Sequence, residues 1–202
     1  MKIMPRFSVE MELYDILYLS YLIPASRVRP LVPDILPLAT VGSDRVFFSV
    51  VTFHSTGVRL VSLPSLRFAY DQINLRTYVT DPYTGNHGVY FFRSGITSAT
   101  TSFFTRLLKL PWENISFAVR AERDEGNYYT RYIASGQWHG EIHIEVREED
   151  SQFKDFLPFA NQEEAIQYLT GPLIGFYGLS GKTRRFEVDI HIFSSVLIKF
   201  CR

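Results

Sequence analysis

Residues 73–92, INLRTYVTDPYTGNHGVYFF, constrain the fold more than any other stretch. Two runs of strand-forming residues flank the turn-forming DPYTGN, which reads as a β-hairpin. In the first run Ile73, Leu75, Thr77 and Val79 point one way, and Asn74, Arg76 and Tyr78 the other. An Asn, an Arg and a Tyr on one strand face form either a solvated surface or the polar lining of a pocket.

Further strands are expected at residues 8–13, 16–22, 45–54, 73–80, 87–93, 115–122, 128–135, 138–147 and 185–192, with turn signals VGSD, DEGN and ASGQ between several of them. Seventeen Phe and twelve Tyr suit pleated, half-buried surfaces. Short connections favour antiparallel neighbours. Three helices interrupt the strands. The first spans about residues 24–32, with Pro24 in its first turn. The second follows Ser98 and carries Phe103, Phe104, Leu107 and Leu108 before Pro111 stops it. The third opens with Asn161 as cap and Glu164 three residues on, and ends at Gly171-Pro172. The pattern predicts an α+β fold, mainly β: an antiparallel, closed β-barrel with about three short helices.

At 202 residues, with 46% hydrophobic content, the chain suits one domain over residues 1–202 with a packed core. Its formal net charge is zero, with no long run of one sign, which argues against a nucleic-acid partner. The lone cysteine, Cys201, allows no internal disulfide and no cysteine metal cluster. No early stretch has the length of a signal peptide core or of a membrane span. The expectation is a cytoplasmic protein with no membrane partner.

Several polar patterns invite chemistry. His139, Glu141, His143 and Glu145 alternate on one strand face, where imidazole and carboxylate can converge on a metal. The commoner outcome is a solvated face opposite Gly140, Ile142, Ile144 and Val146, so no metal is assigned. Glu187, Asp189 and His191 repeat the pattern opposite Phe186, Val188 and Ile190, and there too water is the simpler neighbour. No G-x-S-x-G, G-x-G-x-x-G or complete phosphate-loop spacing occurs. GLSGKT at residues 178–183 matches only the tail of the last. No cofactor is expected.

The Asn74, Arg76, Tyr78 face is the strongest candidate. Pointed inward, Arg76 is a permanently charged fork suited to a carboxylate, and Tyr78 and Tyr90 add hydroxyls. A buried arginine needs a partner, either an internal acid or a bound anion. Phe48 and Phe92 supply apolar walls for the same cavity.

Residues 21–33 (YLIPASRVRPLVP), 45–53 (RVFFSVVTF), 73–79, 88–92 and 107–112 (LLKLPW), in that order, resemble an uncharacterised family, a domain of unknown function, in the acetoacetate decarboxylase-like superfamily. The resemblance runs from about Tyr18 to Trp112 and returns weakly around residues 184–191. It implies a cone-shaped β-barrel around a largely apolar cavity, often in a homo-oligomer. True acetoacetate decarboxylases form a Schiff base on a lysine in a Pro-Lys-Lys run, with the nucleophile's pKa lowered by its neighbour and by desolvation. Here the corresponding segment is Leu110-Pro111-Trp112-Glu113, with no lysine after the proline. Lys109 lies two residues before it without an adjacent second lysine, so those catalytic residues do not carry over. The resulting expectation is a protein that binds a small organic acid or carbonyl compound in an internal cavity, through Asn74, Arg76, Tyr78, Tyr90, Phe48 and Phe92. A Schiff-base enzyme using a non-standard lysine, Lys109 first in line, is the alternative. A scaffold whose interior is filled by side chains is the third reading.

Overall fold

The computed structural model describes residues 8–60, 65, 67–100, 112–126, 128–147, 158–179, 181–192 and 196–201. The chain is mainly β. Strand β1 (Ser8–Pro24) joins the two strands expected at residues 8–13 and 16–22. Between them Asp15 has a φ of 50°, and the register with β2 (Arg45–Leu60) shifts between Tyr14 and Leu17. Asp tolerates the left-handed region better than most residues, so the chain bulges there and continues instead of turning.

Strands β3 (Phe68–Thr80) and β4 (His87–Ile96) form the hairpin expected from the sequence. Its turn is built by Asp81. That carboxylate accepts from the Tyr83 amide and the Thr84 hydroxyl, and from Arg185 at 3.1 Å. Short strands β5 (Trp112–Asn114) and β9 (Ile174–Leu179) both pair with β4. β10 (Lys182–Ile192) pairs β9 and the first half of β1, and β11 (Val196–Cys201) pairs the second half of β1.

The expectation of an antiparallel sheet is corrected here. The pairs β1–β10, β1–β11, β4–β5 and β4–β9 are parallel, so the sheet is mixed. Strands β5, β9 and β11 were not foreseen; β9 carries Gly175 and Gly178, which weaken a strand signal. The GLSGKT stretch runs from the end of β9 into β10, with Gly181 at a φ of 71°, which is a hairpin rather than a phosphate cradle.

A second, antiparallel sheet holds β6 (Ser116–Arg123), β7 (Tyr129–Gln137) and β8 (Glu141–Arg147). It covers the lower part of the main sheet, where Leu17, Leu19 and Ile73 pack against Phe117, Tyr132 and Val146. The upper part of that face is covered by α1 (Ala25–Val28) and by the loop that follows the 3₁₀ turn Arg29–Leu31, through Val28, Val32 and Leu36 on Val46 and Val79. These two short pieces replace the single helix expected over residues 24–32. The opposite face of the main sheet receives α2 (Gln162–Thr170), through Ala165 and Leu169, and Phe159, which stacks on Phe47. The α2 cap is as expected: Asn161 Oδ1 accepts from the Glu164 amide, and the Glu164 carboxylate reaches back to the Ala160 amide. Of the helix expected after Ser98, Ala99 and Thr100 are helical and the remainder lies outside the described residues.

Among the described residues, no helix is long and apolar enough to cross a membrane. Close approach of β6 to β7 requires glycine at position 136, because a Cβ there would run into the Ser116 carbonyl and the Phe117 Cα. Backbone cannot yield as a flexible side chain does. Gly136→Ala is therefore expected to cost about 2 kcal/mol in urea unfolding; an unchanged midpoint would contradict this packing.

Candidate functional site

Period-two alternation along β3 puts Tyr70, Gln72, Asn74, Arg76 and Tyr78 on one face. Cross-strand partners identify which face it is. Asn74 lies opposite Val51 and Ser94, Arg76 opposite Ser49 and Phe91, and Tyr78 opposite Val89. Tyr70, Val51, Tyr78 and Val89 all belong to the core cluster that α2 covers. The polar face of the hairpin therefore points inward, beneath α2.

Arg76 is 9% exposed. Its Nη2 donates to the Leu169 carbonyl at 2.8 Å and to the Tyr78 hydroxyl at 3.2 Å. Tyr78, fully buried, donates its own hydroxyl to the same carbonyl at 3.1 Å. Leu169 belongs to the last turn of α2, whose carbonyls lack intrahelical donors and carry the negative end of the helix dipole. A cation is favoured there. The guanidinium carbon also lies 4.8 Å from the centroid of the Tyr18 ring. Burial works against the charge, yet Tyr18 and Tyr78 outweigh it and hold the Arg76 pKa above its ordinary value. Among the described residues no carboxylate pairs with Arg76, and its buried Nε has no acceptor.

Sequence reasoning missed His87, which the alternation places two residues before Val89 on the same inward face. Its ring lies 4.3 Å from Tyr168 and 5.3 Å from Tyr78, centroid to centroid. Burial, and then the Arg76 charge, push its pKa down to about 4. A cleft of about 570 Å³ adjoins it, lined by His87, Tyr168, Glu164, Gln167, Pro172 and Ile174. Tyr168 also donates to the Ala39 carbonyl, tying α2 to the loop before β2.

The other expected contacts divide. Asn74 shares the Arg76 face and accepts from Gln72 Nε2 at 2.7 Å. Phe48 and Tyr90 both stand opposite Thr77, so they lie on the other side of the sheet. Phe92, at the register shift in β4, stacks on Phe48 and meets Tyr90 edge-on. Those three aromatics therefore do not line the space around Arg76. The parity explains it: Tyr78 pairs with Val89, not with Tyr90.

The charged face around His139 and Glu145 is a surface feature. His139 sits in the β7–β8 turn with a φ of 51° and contacts Glu113 at 2.8 Å, and Glu145 engages Arg131 and Arg147. Among the described residues no group of His, Cys, Asp or Glu is arranged to hold a metal. Glu187 pairs with Arg185, while the Asp189 and His191 side chains, like Lys109, lie outside what is described.

With this geometry in hand, comparison with known sequences is decisive for the family. The chain belongs to the family DUF2071. That family is described as an uncharacterized conserved protein, and its pattern matches residues 10–191. The uncharacterized protein YqjF of Bacillus subtilis (strain 168) is 38% identical over 80 residues, 39% of this chain and 32% of that protein. An acetoacetate decarboxylase-like enzyme from Sphingomonas wittichii RW1 superposes with a TM-score of 0.50 at 13% identity, over 83% of this chain and 62% of that one. The enduracididine biosynthesis enzyme MppR, complexed with the condensation product of pyruvate and imidazole 4-carboxaldehyde, gives 0.50 at 10% identity, over 88% and 65%. The likeness is one of fold. This chain spans less than two thirds of the length of each of these three proteins.

The low His87 pKa makes a pH prediction. Between about 4 and 6.5 the unfolded chain binds a proton at this position that the folded chain does not. Stability is thus expected to fall as pH drops through that window, by about 1–2 kcal/mol once solvent screening of this partly exposed group is allowed for, and not further below it. Urea unfolding at pH 7 and pH 4 for the wild type and His87→Gln measures it. The variant should lose less stability on acidification, and equal losses would contradict the assignment.

Proposed function

We propose that this DUF2071 protein binds a small organic acid or carbonyl compound inside a barrel, with Arg76 as the charged contact. The barrel part is supported by the run of pairings from β1 through β2, β3, β4, β9 and β10, and by the pairing of β10 with β1. The ligand part rests on one observation. A buried guanidinium has no carboxylate beside it among the described residues, and its Nε has no acceptor.

A neutral carbonyl at a helix end compensates a buried cation only in part. An incoming carboxylate offers a full charge and charge-assisted hydrogen bonds, so the site gains more from it than from Leu169 alone. Asn74 and Tyr78, on the same strand face, are the remaining polar contacts. The likeness in fold to a protein complexed with a pyruvate condensation product is in keeping with ligands of this size and chemistry. The same reading carries a single domain that assembles as a homo-oligomer in a reducing, cytoplasmic setting, as the sequence resemblance and the lone Cys201 suggest.

Isothermal titration of pyruvate and of acetoacetate into the wild type and Arg76→Met tests it, with circular dichroism as the check on folding. The variant should bind at least tenfold more weakly, about 1.4 kcal/mol. Arg76→Lys, which keeps the charge and loses the planar fork, should fall between the two. Equal affinity in a folded Arg76→Met would overturn the role of Arg76.

A further inference from the structure

The inward face of β3 and β4 holds more unpartnered polar atoms than Arg76 Nε. Tyr70 Oη, Gln72 Oε1 and Ser94 Oγ are all shut off from solvent and, among the described residues, lack any hydrogen-bond partner. Their residues are 3%, 3% and 0% exposed. Leaving such an atom unpaired costs about 1–3 kcal/mol, and bulk water cannot reach these to relieve it. The Arg76 row looks different, because there the Ser49 hydroxyl pairs with Ser20 at 2.8 Å. Tyr70, Gln72 and Ser94 lie away from Tyr78, toward the β4 C-terminal end, whereas His87 Nε2, also buried without a partner among the described residues, lies at the other end beside Tyr78 and Tyr168.

Their order gives a ruler. Ser94 stands opposite Asn74, one alternation step from Arg76, and Gln72 stands one step further. Each step of two residues is about 7 Å. The Gln72 amide is held by its Nε2 donation to Asn74 Oδ1, which leaves Oε1 as a fixed acceptor that asks for a donor. The Ser94 and Tyr70 hydroxyls can each donate or accept a hydrogen bond.

We infer that the ligand is a bifunctional acid, carrying a hydroxyl or comparable donor group roughly 7 Å or more from its carboxylate. This rests on the binding reading above. The carboxylate meets Arg76 and the distal hydroxyl meets Ser94 and Gln72 Oε1, which unsubstituted short acids leave orphaned. Hydroxylated acids of about six carbons have the required reach.

Titration of hexanoate and 6-hydroxyhexanoate into the wild type, Ser94→Ala, Gln72→Leu and Arg76→Met tests this. In the wild type the hydroxy acid should bind at least fivefold tighter than hexanoate. Ser94→Ala and Gln72→Leu should each shrink the ratio of the two affinities toward one. Arg76→Met should weaken both acids. A second readout needs no ligand: Ser94→Ala and Tyr70→Phe delete orphaned hydroxyls, so their melting temperatures should equal or exceed that of the wild type. Equal binding of the two acids, both lost in Arg76→Met, would overturn the bifunctional ligand and leave the Arg76 reading standing. Binding of neither acid to the wild type would overturn both. A clear loss of stability in both hydroxyl deletions would show that those groups already have partners.

Discussion

One hydrogen-bonded corner organises this molecule: Arg76 and Tyr78 of β3 converge on the carbonyl of Leu169 in the last turn of α2. Two donors fill the two acceptor positions of that oxygen. The helix cannot leave the sheet without exposing an uncapped terminus below and taking from the buried cation its carbonyl acceptor. Around this corner Phe159 and Tyr168 complete the attachment, with Phe159 stacked on Phe47 and Tyr168 packed on His87. The polar corner thus fixes where the helix ends, and the aromatic surround supplies the apolar area that holds it there.

The same corner sets the electrostatics. Burial first, and then the Arg76 charge, make protonation of His87 unfavourable, so the imidazole beside the cleft stays neutral over the ordinary range of pH. A neutral imidazole leaves Arg76 as the fixed positive charge of this corner, with the Glu164 carboxylate on the rim of the adjoining cleft.

Much of the framework could be read from the sequence, because it depends on local signals. Alternation around residue 76 identified a hairpin with one polar face, and the Asn161–Glu164 spacing identified the helix that covers it. What could not be read depends on long-range pairing. Nothing local tells that residues 182–192 lie parallel to β1, or that the weak, glycine-bearing segment 174–179 joins β4. The site was divided in the same way. Arg76, Tyr78 and Asn74 follow from parity within one strand, whereas Tyr90, Phe48 and Phe92 required the cross-strand register, which puts them on the far side. Beginning the strand at Ile73 rather than Phe68 also hid Tyr70 and Gln72, though the same alternation extended backward reaches both. Above all, the sequence suggested that Arg76 would need an acid or an anion. The first acceptor it finds is a helix-terminal carbonyl, a partner that no side-chain pattern announces.

The most direct test of this account is a crystal structure of the protein soaked with pyruvate. The account predicts Arg76 buried under α2, with a ligand carboxylate oxygen within about 3.2 Å of its Nη1 or Nε. An Arg76 turned to bulk solvent, or saturated by an acidic side chain of the chain itself with no ligand present, would contradict it.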